Sequence, residues 1–130
     1  MTRLSYALDL QDDPALIDEY DRWHQADRVW PDIARSLRAA GIEEAEIFRT
    51  GNRLVLVMDV SPEFDPAAKA AADAADARVQ AWETLMWNYQ KALPWARPGE
   101  KWVPMRRIFS LTDALRSVNT PTHVKDHTSP

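Results

Sequence analysis

The spacing of apolar residues changes along the chain in an order that few folds can accommodate. The first stretch alternates apolar and polar side chains, which is typical of a strand with one face on a core. Later stretches switch between helical spacing and short apolar runs. In chain order, the patterns are a strand over 3–10, a helix over 14–40 with a polar interruption over 25–29, strands over 45–49 and 54–60, a helix over 67–89 and a strand over 102–111.

The resulting β-α-β-β-α-β order predicts an α+β protein of the ferredoxin-like type. Right-handed crossovers then place both helices on one face of a four-stranded antiparallel sheet. Tyr6, Val55 and Val57 would give the other face an apolar surface. Because an exposed apolar face of that size usually marks an interface, we expect a homodimer through this sheet face.

Several residues predict where helices begin and end. Asp13 followed by Pro14 is typical of an N-cap and a first helical residue. Gly41 predicts a helix end, since glycine readily adopts the left-handed conformation after a last turn. Asp76 indicates a break within the second helical stretch, and Pro94 is expected to end that stretch.

Composition limits the class of protein. A chain of 130 residues can bury one modest core, so we expect one domain over 1–111. Residues 112–130 lack periodicity, which predicts a flexible C-terminal tail. No apolar run reaches the ~20 residues that span a bilayer. Because Met1-Thr2-Arg3 also leads directly into a strand pattern, we expect no signal peptide, no membrane partner and a cytoplasmic protein.

Charge and residue usage exclude several functions. A net charge of -4 provides no basic stripe for phosphates, so nucleic acid is not an expected partner. The chain has no cysteine, which excludes disulfides and thiolate catalysis. His24 is the only histidine outside the tail. A metal would therefore depend on carboxylates, and we expect neither a metal nor another cofactor.

Tyr20 and His24 are the strongest candidates for chemistry. Residues four apart on a helix share a face, so the phenol and the imidazole can reach one ligand together. Histidine exchanges protons near neutral pH, and tyrosine can donate a hydrogen bond. Considered alone, the pair can also be structural, with His24 only satisfying backbone carbonyls at a helix end. For a single Tyr/His pair this structural role is commoner than catalysis.

Three tryptophans and two glutamates are further candidates for ligand contact. Trp30, Trp82 and Trp87 have spacing typical of a helical core, but an indole also packs against the C–H face of a sugar. Glu83 lies between tryptophans, and Glu46 interrupts an apolar strand. Either glutamate is a surface carboxylate by default, or an acceptor for ligand hydroxyls.

Several motifs occur in a fixed order within residues 3–111. They are Tyr20…His24…Trp30-Pro31, Gly41 before a short strand, Glu46-Ile47-Phe48-Arg49, Val79-Gln80-x-Trp82, Trp82-Glu83-x-Leu85-Met86-Trp87 and Pro94-Trp95-Ala96-Arg97-Pro98-Gly99-Glu100-Lys101-Trp102. Their order and spacing resemble the L-rhamnose mutarotase family. The finer spelling is more similar to its L-fucose mutarotase branch.

The resemblance implies a fold and an activity. Family members are cofactor-free dimers with a dimeric α+β barrel, and they interconvert the α and β anomers of a deoxyhexose. For this chain we expect the reaction to proceed by general acid–base ring opening and closure. The family's proton-donating histidine corresponds to His24, and its sugar-contacting tyrosine corresponds to Tyr20. Trp82 corresponds to the first tryptophan of a Trp-Trp pair.

Departures from the rhamnose branch bear on the substrate. Glu83 replaces the second tryptophan of the pair, and Ala45 replaces a sugar-contacting tyrosine. The loop between His24 and Trp30 is also longer. An acid and a small side chain in place of aromatic rings fit a different hydroxyl stereochemistry. We therefore expect L-fucose as the substrate, with L-rhamnose as the alternative.

Two other functions fit the same fold, because fold does not decide function. One is a cofactor-free oxygenase, which would need a largely apolar pocket for an aromatic substrate. The other is a non-catalytic binding or dimerisation module, in which His24 is only structural. The sequence leaves open the partner of His24 in proton transfer.

Overall fold

The computed structural model describes residues 2–119 of the chain. Strands and helices follow the chain order that the apolar spacing predicts, and each helical stretch is divided into two helices. The elements are β1 (Thr2–Leu10), α1 (Pro14–Trp23), α2 (Pro31–Ala39), β2 (Ile42–Thr50), β3 (Arg53–Val60), α3 (Pro66–Ala75), α4 (Ala77–Trp87), β4 (Gln90–Lys91), β5 (Val103–Pro104) and α5 (Leu111–Val118).

The sheet has the order expected of a ferredoxin-like fold. Its strands run β2-β3-β1-β4. The short strand β5 also pairs with β1, at Tyr6 and Ala7, on the same edge as β4. Every pairing is antiparallel. The mixed arrangement of helices and an antiparallel sheet confirms the predicted α+β class, with β1 at the centre of the sheet.

One face of the sheet carries the core, because apolar residues alternate along the strands. Leu8 lies directly opposite Leu54, and both are almost fully buried. Helices α1, α2 and α4 pack on this face. The buried cluster that joins helices and sheet comprises Leu8, Leu10, Tyr20, Ile33, Leu54, Val79, Trp82, Met86 and Tyr89.

Helix ends follow the predicted capping residues. The carboxylate of Asp13 accepts hydrogen bonds from the first turn of α1, and Pro14 is the first helical residue. Asp76 ends α3, and its side chain also accepts from the N–H groups of Arg78 and Val79 at the start of α4. Gly41 follows α2 with φ of +95°, a conformation that an L side chain rarely adopts.

The region after α4 differs from the prediction. The helix ends at Trp87 rather than at Pro94, because the chain turns to pair with β1 and the carbonyl of Tyr89 accepts from the Gln11 N–H. The strand predicted over 102–111 contracts to β5. Its second residue, Pro104, has no N–H to donate to a ladder.

The segment after β5 also differs from the prediction. Residues 112–118 were expected to belong to a flexible tail, but with Leu111 they form α5 (Leu111–Val118), where the Ser110 hydroxyl accepts a hydrogen bond from the Asp113 N–H. The remainder of the expected tail, 120–130, lies outside the described residues. Within residues 2–119, no helix is long and apolar enough to cross a membrane.

The second sheet face is less apolar than predicted. Tyr6 lies opposite Leu56 and packs with the helix-facing residues, so its assignment to the second face was wrong. Val55 and Val57 do alternate onto the second face. There Phe48 lies opposite Val55, and it is 55% exposed.

Candidate active site

A pocket of about 370 Å³ opens between the helices and the core-facing side of the sheet. It contains four of the predicted site residues, Tyr20, His24, Trp82 and Glu83. The first two come from α1 and its end, and the other two come from α4. The remaining lining residues are Val29, Ile33, Ala34, Ser36, Leu37, Ala45, Ile47, Leu56, Met58, Lys69, Asp73, Val79, Met86, Gln90 and Trp102.

Tyr20 and His24 meet in this pocket as their spacing predicts. His24 is the C-cap residue of α1, one turn after Tyr20, and the centroids of the two rings are 4.3 Å apart. Tyr20 is only 2% exposed. The phenol and the imidazole therefore face one ligand volume from the same end of the helix.

The hydrogen bond of His24 determines which ring nitrogen is available. Its Nδ1 lies 2.8 Å from the backbone carbonyl of Tyr20. Because a carbonyl can only accept, Nδ1 carries a proton, and Nε2 of the neutral ring is an acceptor. Burial lowers the pKa of His24 below its ordinary value, more strongly than the Tyr20 carbonyl and the Asp21 charge raise it. At neutral pH the imidazole is thus uncharged and able to take a proton.

Tyr20 has the opposite character. Burial raises the pKa of its phenol to about 12, so the hydroxyl keeps its proton at neutral pH. The hydroxyl oxygen accepts a hydrogen bond of 3.2 Å from the Gln90 amide. Since that bond occupies a lone pair, the phenol proton stays free to be donated to a ligand.

Trp82 forms an aromatic wall beside His24. The ring centroids of Trp82 and His24 are 5.7 Å apart, in an edge-to-face arrangement. Trp30 packs on Trp82 at 5.2 Å and carries the Arg78 guanidinium on its ring, and it does not line the pocket. Trp30 was predicted to contact the ligand, but it packs against Trp82 outside the pocket lining.

Glu83 lies at the pocket beside a buried cation. Lys101 donates a hydrogen bond to Oε1 of Glu83, and its side chain is 12% exposed. Burial lowers the pKa of Lys101, against the opposite effect of Glu83. The Lys101 ammonium also lies 4.6 Å from the centroid of Trp87. Trp87 is thus a platform for Lys101 outside the pocket, not a lining residue.

Glu46 lies away from the site. It pairs with Val57 on β3, and it therefore points to the sheet face that the helices do not cover. Its neighbours Ala45 and Ile47 are the residues that reach the pocket. Strand alternation fixes this outcome, because adjacent residues point to opposite faces.

Sequence reasoning missed two polar features of the pocket. Gln90 came directly after the helix predicted over 67–89 and was assigned no role, and the early end of α4 places it on β4 beside Tyr20. Lys69 and Asp73 form an ion pair on α3, and their four-residue spacing was a readable signal for it. Within residues 2–119, no three histidine or acidic side chains are placed to hold a metal ion.

Comparison with known proteins identifies the family. A family model described as L-rhamnose mutarotase matches residues 3–111. An L-fucose mutarotase from Xanthomonas campestris pv. campestris is 59% identical over 115 residues, which cover 88% of this chain and 92% of that protein. A UPF0734 protein of Dictyostelium discoideum is 30% identical over 109 residues, covering 81% of this chain and 86% of the relative.

A solved structure supports the fold independently. The crystal structure of an L-rhamnose mutarotase from Formosa agariphila superposes with a TM-score of 0.62 at 22% identity, covering 85% of this chain and 99% of that one. The family model spans all elements from β1 to β5 and includes every residue of the pocket. The chain therefore belongs to the L-rhamnose mutarotase family and is a mutarotase, an isomerase that acts on carbohydrates.

Proposed function

We propose that this mutarotase interconverts the α and β anomers of L-fucose, with His24 as its acid–base group and Tyr20 as a hydrogen-bond donor to the sugar. The observation that carries the proposal is the pairing of an uncharged imidazole with a protonated phenol in one pocket. The high identity to an L-fucose mutarotase supports the choice of sugar.

Mutarotation needs two proton movements. The pyranose opens when the anomeric hydroxyl loses its proton and the ring oxygen gains one. The bond between the ring oxygen and the anomeric carbon breaks, and the anomeric C–O bond becomes the carbonyl of an open-chain aldehyde. Rotation of the aldehyde and the reverse steps then give the other anomer. A positioned acid–base group accelerates such steps by roughly 10²–10⁴-fold.

His24 can perform both movements in turn. Its Nε2 would accept the proton of the anomeric hydroxyl while the ring C–O bond breaks, and the resulting imidazolium would return that proton to the former ring oxygen. The bond from Nδ1 to the Tyr20 carbonyl holds the ring in place throughout. Full proton release from Tyr20 would leave a buried phenolate, which is costly, so its role is to donate a hydrogen bond to a sugar oxygen.

The pocket wall supports L-fucose over L-rhamnose. Glu83 and Ala45, at which the sequence departs from the rhamnose branch, both line the pocket. They replace aromatic side chains of that branch with a hydrogen-bond acceptor and a small side chain. Trp82 keeps one apolar wall for the C–H face of the sugar, and Lys101 orients the carboxylate of Glu83.

A magnetisation-exchange experiment on the anomeric protons tests the substrate. We expect the wild-type protein to accelerate exchange between the L-fucose anomers above the uncatalysed rate, and to accelerate it more for L-fucose than for L-rhamnose. Faster exchange with L-rhamnose would reassign the substrate. No acceleration with either sugar would contradict the proposed reaction.

We also propose that the chain forms a homodimer through the sheet face opposite the helices. Phe48, Val55 and Val57 lie together on that face, beside Glu46 and the Arg3–Asp59 and Arg53–Asp9 ion pairs. The 55% exposed ring of Phe48 supports an interface at this apolar group. Pairing two such faces would complete the dimeric α+β barrel. The cytoplasmic location expected from the sequence stays a prediction.

A further inference from the structure

Gln90 carries a polar atom that the fold leaves without a partner. The residue is 5% exposed, and it lines the pocket beside Tyr20. Its Nε2 donates to the Tyr20 hydroxyl, whereas Oε1 is buried and finds no hydrogen bond within residues 2–119. A buried acceptor without a hydrogen bond destabilises a fold, and most buried polar atoms in proteins have a partner.

The chemistry of Tyr20 favours one assignment of the two amide atoms. With Oε1 and Nε2 swapped, Oε1 would accept from the Tyr20 phenol and take up the proton that the phenol offers to a ligand. With Nε2 donating to the phenol oxygen, the phenol proton stays available and Oε1 is the atom left without a partner. A ligand hydroxyl can donate to that oxygen.

Gln90 lies among the residues that line the pocket. It shares the pocket with His24, Trp82 and Glu83, and β4 holds its backbone opposite Leu10. The terminal torsion of glutamine is broad, so a small rotation can turn Oε1 toward a ligand hydroxyl while Nε2 stays close to the Tyr20 hydroxyl. An apolar side chain of similar length would fill the same space without any unpaired atom.

From these contacts we infer that Gln90 is a specificity-determining residue, whose amide accepts a hydrogen bond from a ring hydroxyl of the sugar. The inference rests on the proposed function and adds a substrate contact to it. Gln90 then serves the site twice, since Nε2 holds the Tyr20 hydroxyl and Oε1 binds the ligand.

Sugar affinity of Gln90→Met tests the assignment. Loss of one neutral hydrogen bond predicts a rise of about tenfold in Kd for L-fucose, measured by titration. Gln80→Met makes the same change at an exposed glutamine of α4, and its Kd should equal that of wild type. The melting temperature of Gln90→Met should stay close to that of wild type, because loss of the bond from Nε2 to Tyr20 is offset by removal of the unpaired Oε1.

Monodeoxy analogues of L-fucose identify the hydroxyl. Wild type should bind one of the 2-, 3- and 4-deoxy sugars about tenfold more weakly than L-fucose, and Gln90→Met should bind that analogue and L-fucose equally. Unchanged affinity of Gln90→Met, or the same penalty for every analogue in both proteins, would overturn the inference and leave a buried water as the partner. Failure of Gln90→Met to fold would also overturn it, since the amide would then serve the core.

Anomer exchange recorded on the same samples separates this inference from the proposed function. Wild-type binding that depends on Gln90 but brings no acceleration would reject mutarotation of L-fucose and retain the ligand contact. Acceleration by wild type with normal affinity in Gln90→Met would retain mutarotation and reject the ligand contact.

Discussion

At the scale of single residues, one environment gives two groups opposite roles. Burial disfavours charge, so it lowers the pKa of His24 and raises the pKa of Tyr20. Both side chains are therefore neutral at pH 7, one as an acceptor and one as a donor. Neither needs a nearby charge to reach that state, which suits a reaction that moves a proton between two oxygens of a neutral sugar.

The pH dependence of exchange follows from these shifts. Because the proposed mechanism requires the base form of His24, activity should be constant around pH 7 and fall only below the ordinary histidine pKa of 6.5. Tyr20 keeps its proton up to a pKa of about 12, so it should cause no loss between pH 8 and 10. A profile of kcat/KM against pH for L-fucose measures both limbs. An acid midpoint above 6.5 would contradict the role of burial.

Tyr20→Phe tests the phenol as a donor to the sugar. The change removes one hydrogen bond to the ligand and should lower kcat/KM by roughly tenfold. Tyr89→Phe is the matched control, since its hydroxyl bonds Glu19 and Trp23 in a buried network outside the pocket. Equal losses of activity in the two variants would indicate a structural effect and not a contact with the substrate.

At the scale of elements, periodicity predicted the central sheet and the division of both helical stretches. Alternation in β1 and the Asp13 and Asp76 caps depend on local chemistry, which a sequence displays. The positions of Gln90 and Glu46 could not be predicted in this way, because they depend on how strands pair. The end of α4 is decided by pairing of β4 with β1, and the face of Glu46 by the register of β2. Both are contacts between residues far apart in the chain.

Asp76 joins two elements, and its removal tests the packing of α4. Asp76→Ala takes the cap from two N–H groups and should lower the free energy of unfolding by about 1 kcal/mol. Asp12→Ala, an exposed acid just before the Asp13 cap, should leave it unchanged. Urea denaturation of the two variants and wild type gives the difference. The KM and kcat of Asp76→Ala should equal those of wild type, because the buried side chains of Trp82 and Met86 keep α4 in place.

At the scale of the whole molecule, the pocket and the proposed dimer face lie on opposite sides of the sheet. The pocket faces the helices, and Phe48 with its neighbours faces the other side of the sheet. Phe48→Lys should therefore convert the proposed dimer to a monomer, measured by light scattering after size exclusion. Ala70→Lys places the same charge on the exposed side of α3 and should remain dimeric. A monomeric wild-type protein would contradict the proposed assembly.

The most direct test of the account is anomer exchange of L-fucose by His24→Asn. Asparagine can still donate to the Tyr20 carbonyl, but it cannot take up and return a proton. We expect the variant to fold and bind L-fucose while its rate of exchange falls by roughly 10²-fold or more. Exchange at the wild-type rate would contradict the assignment of proton transfer to His24.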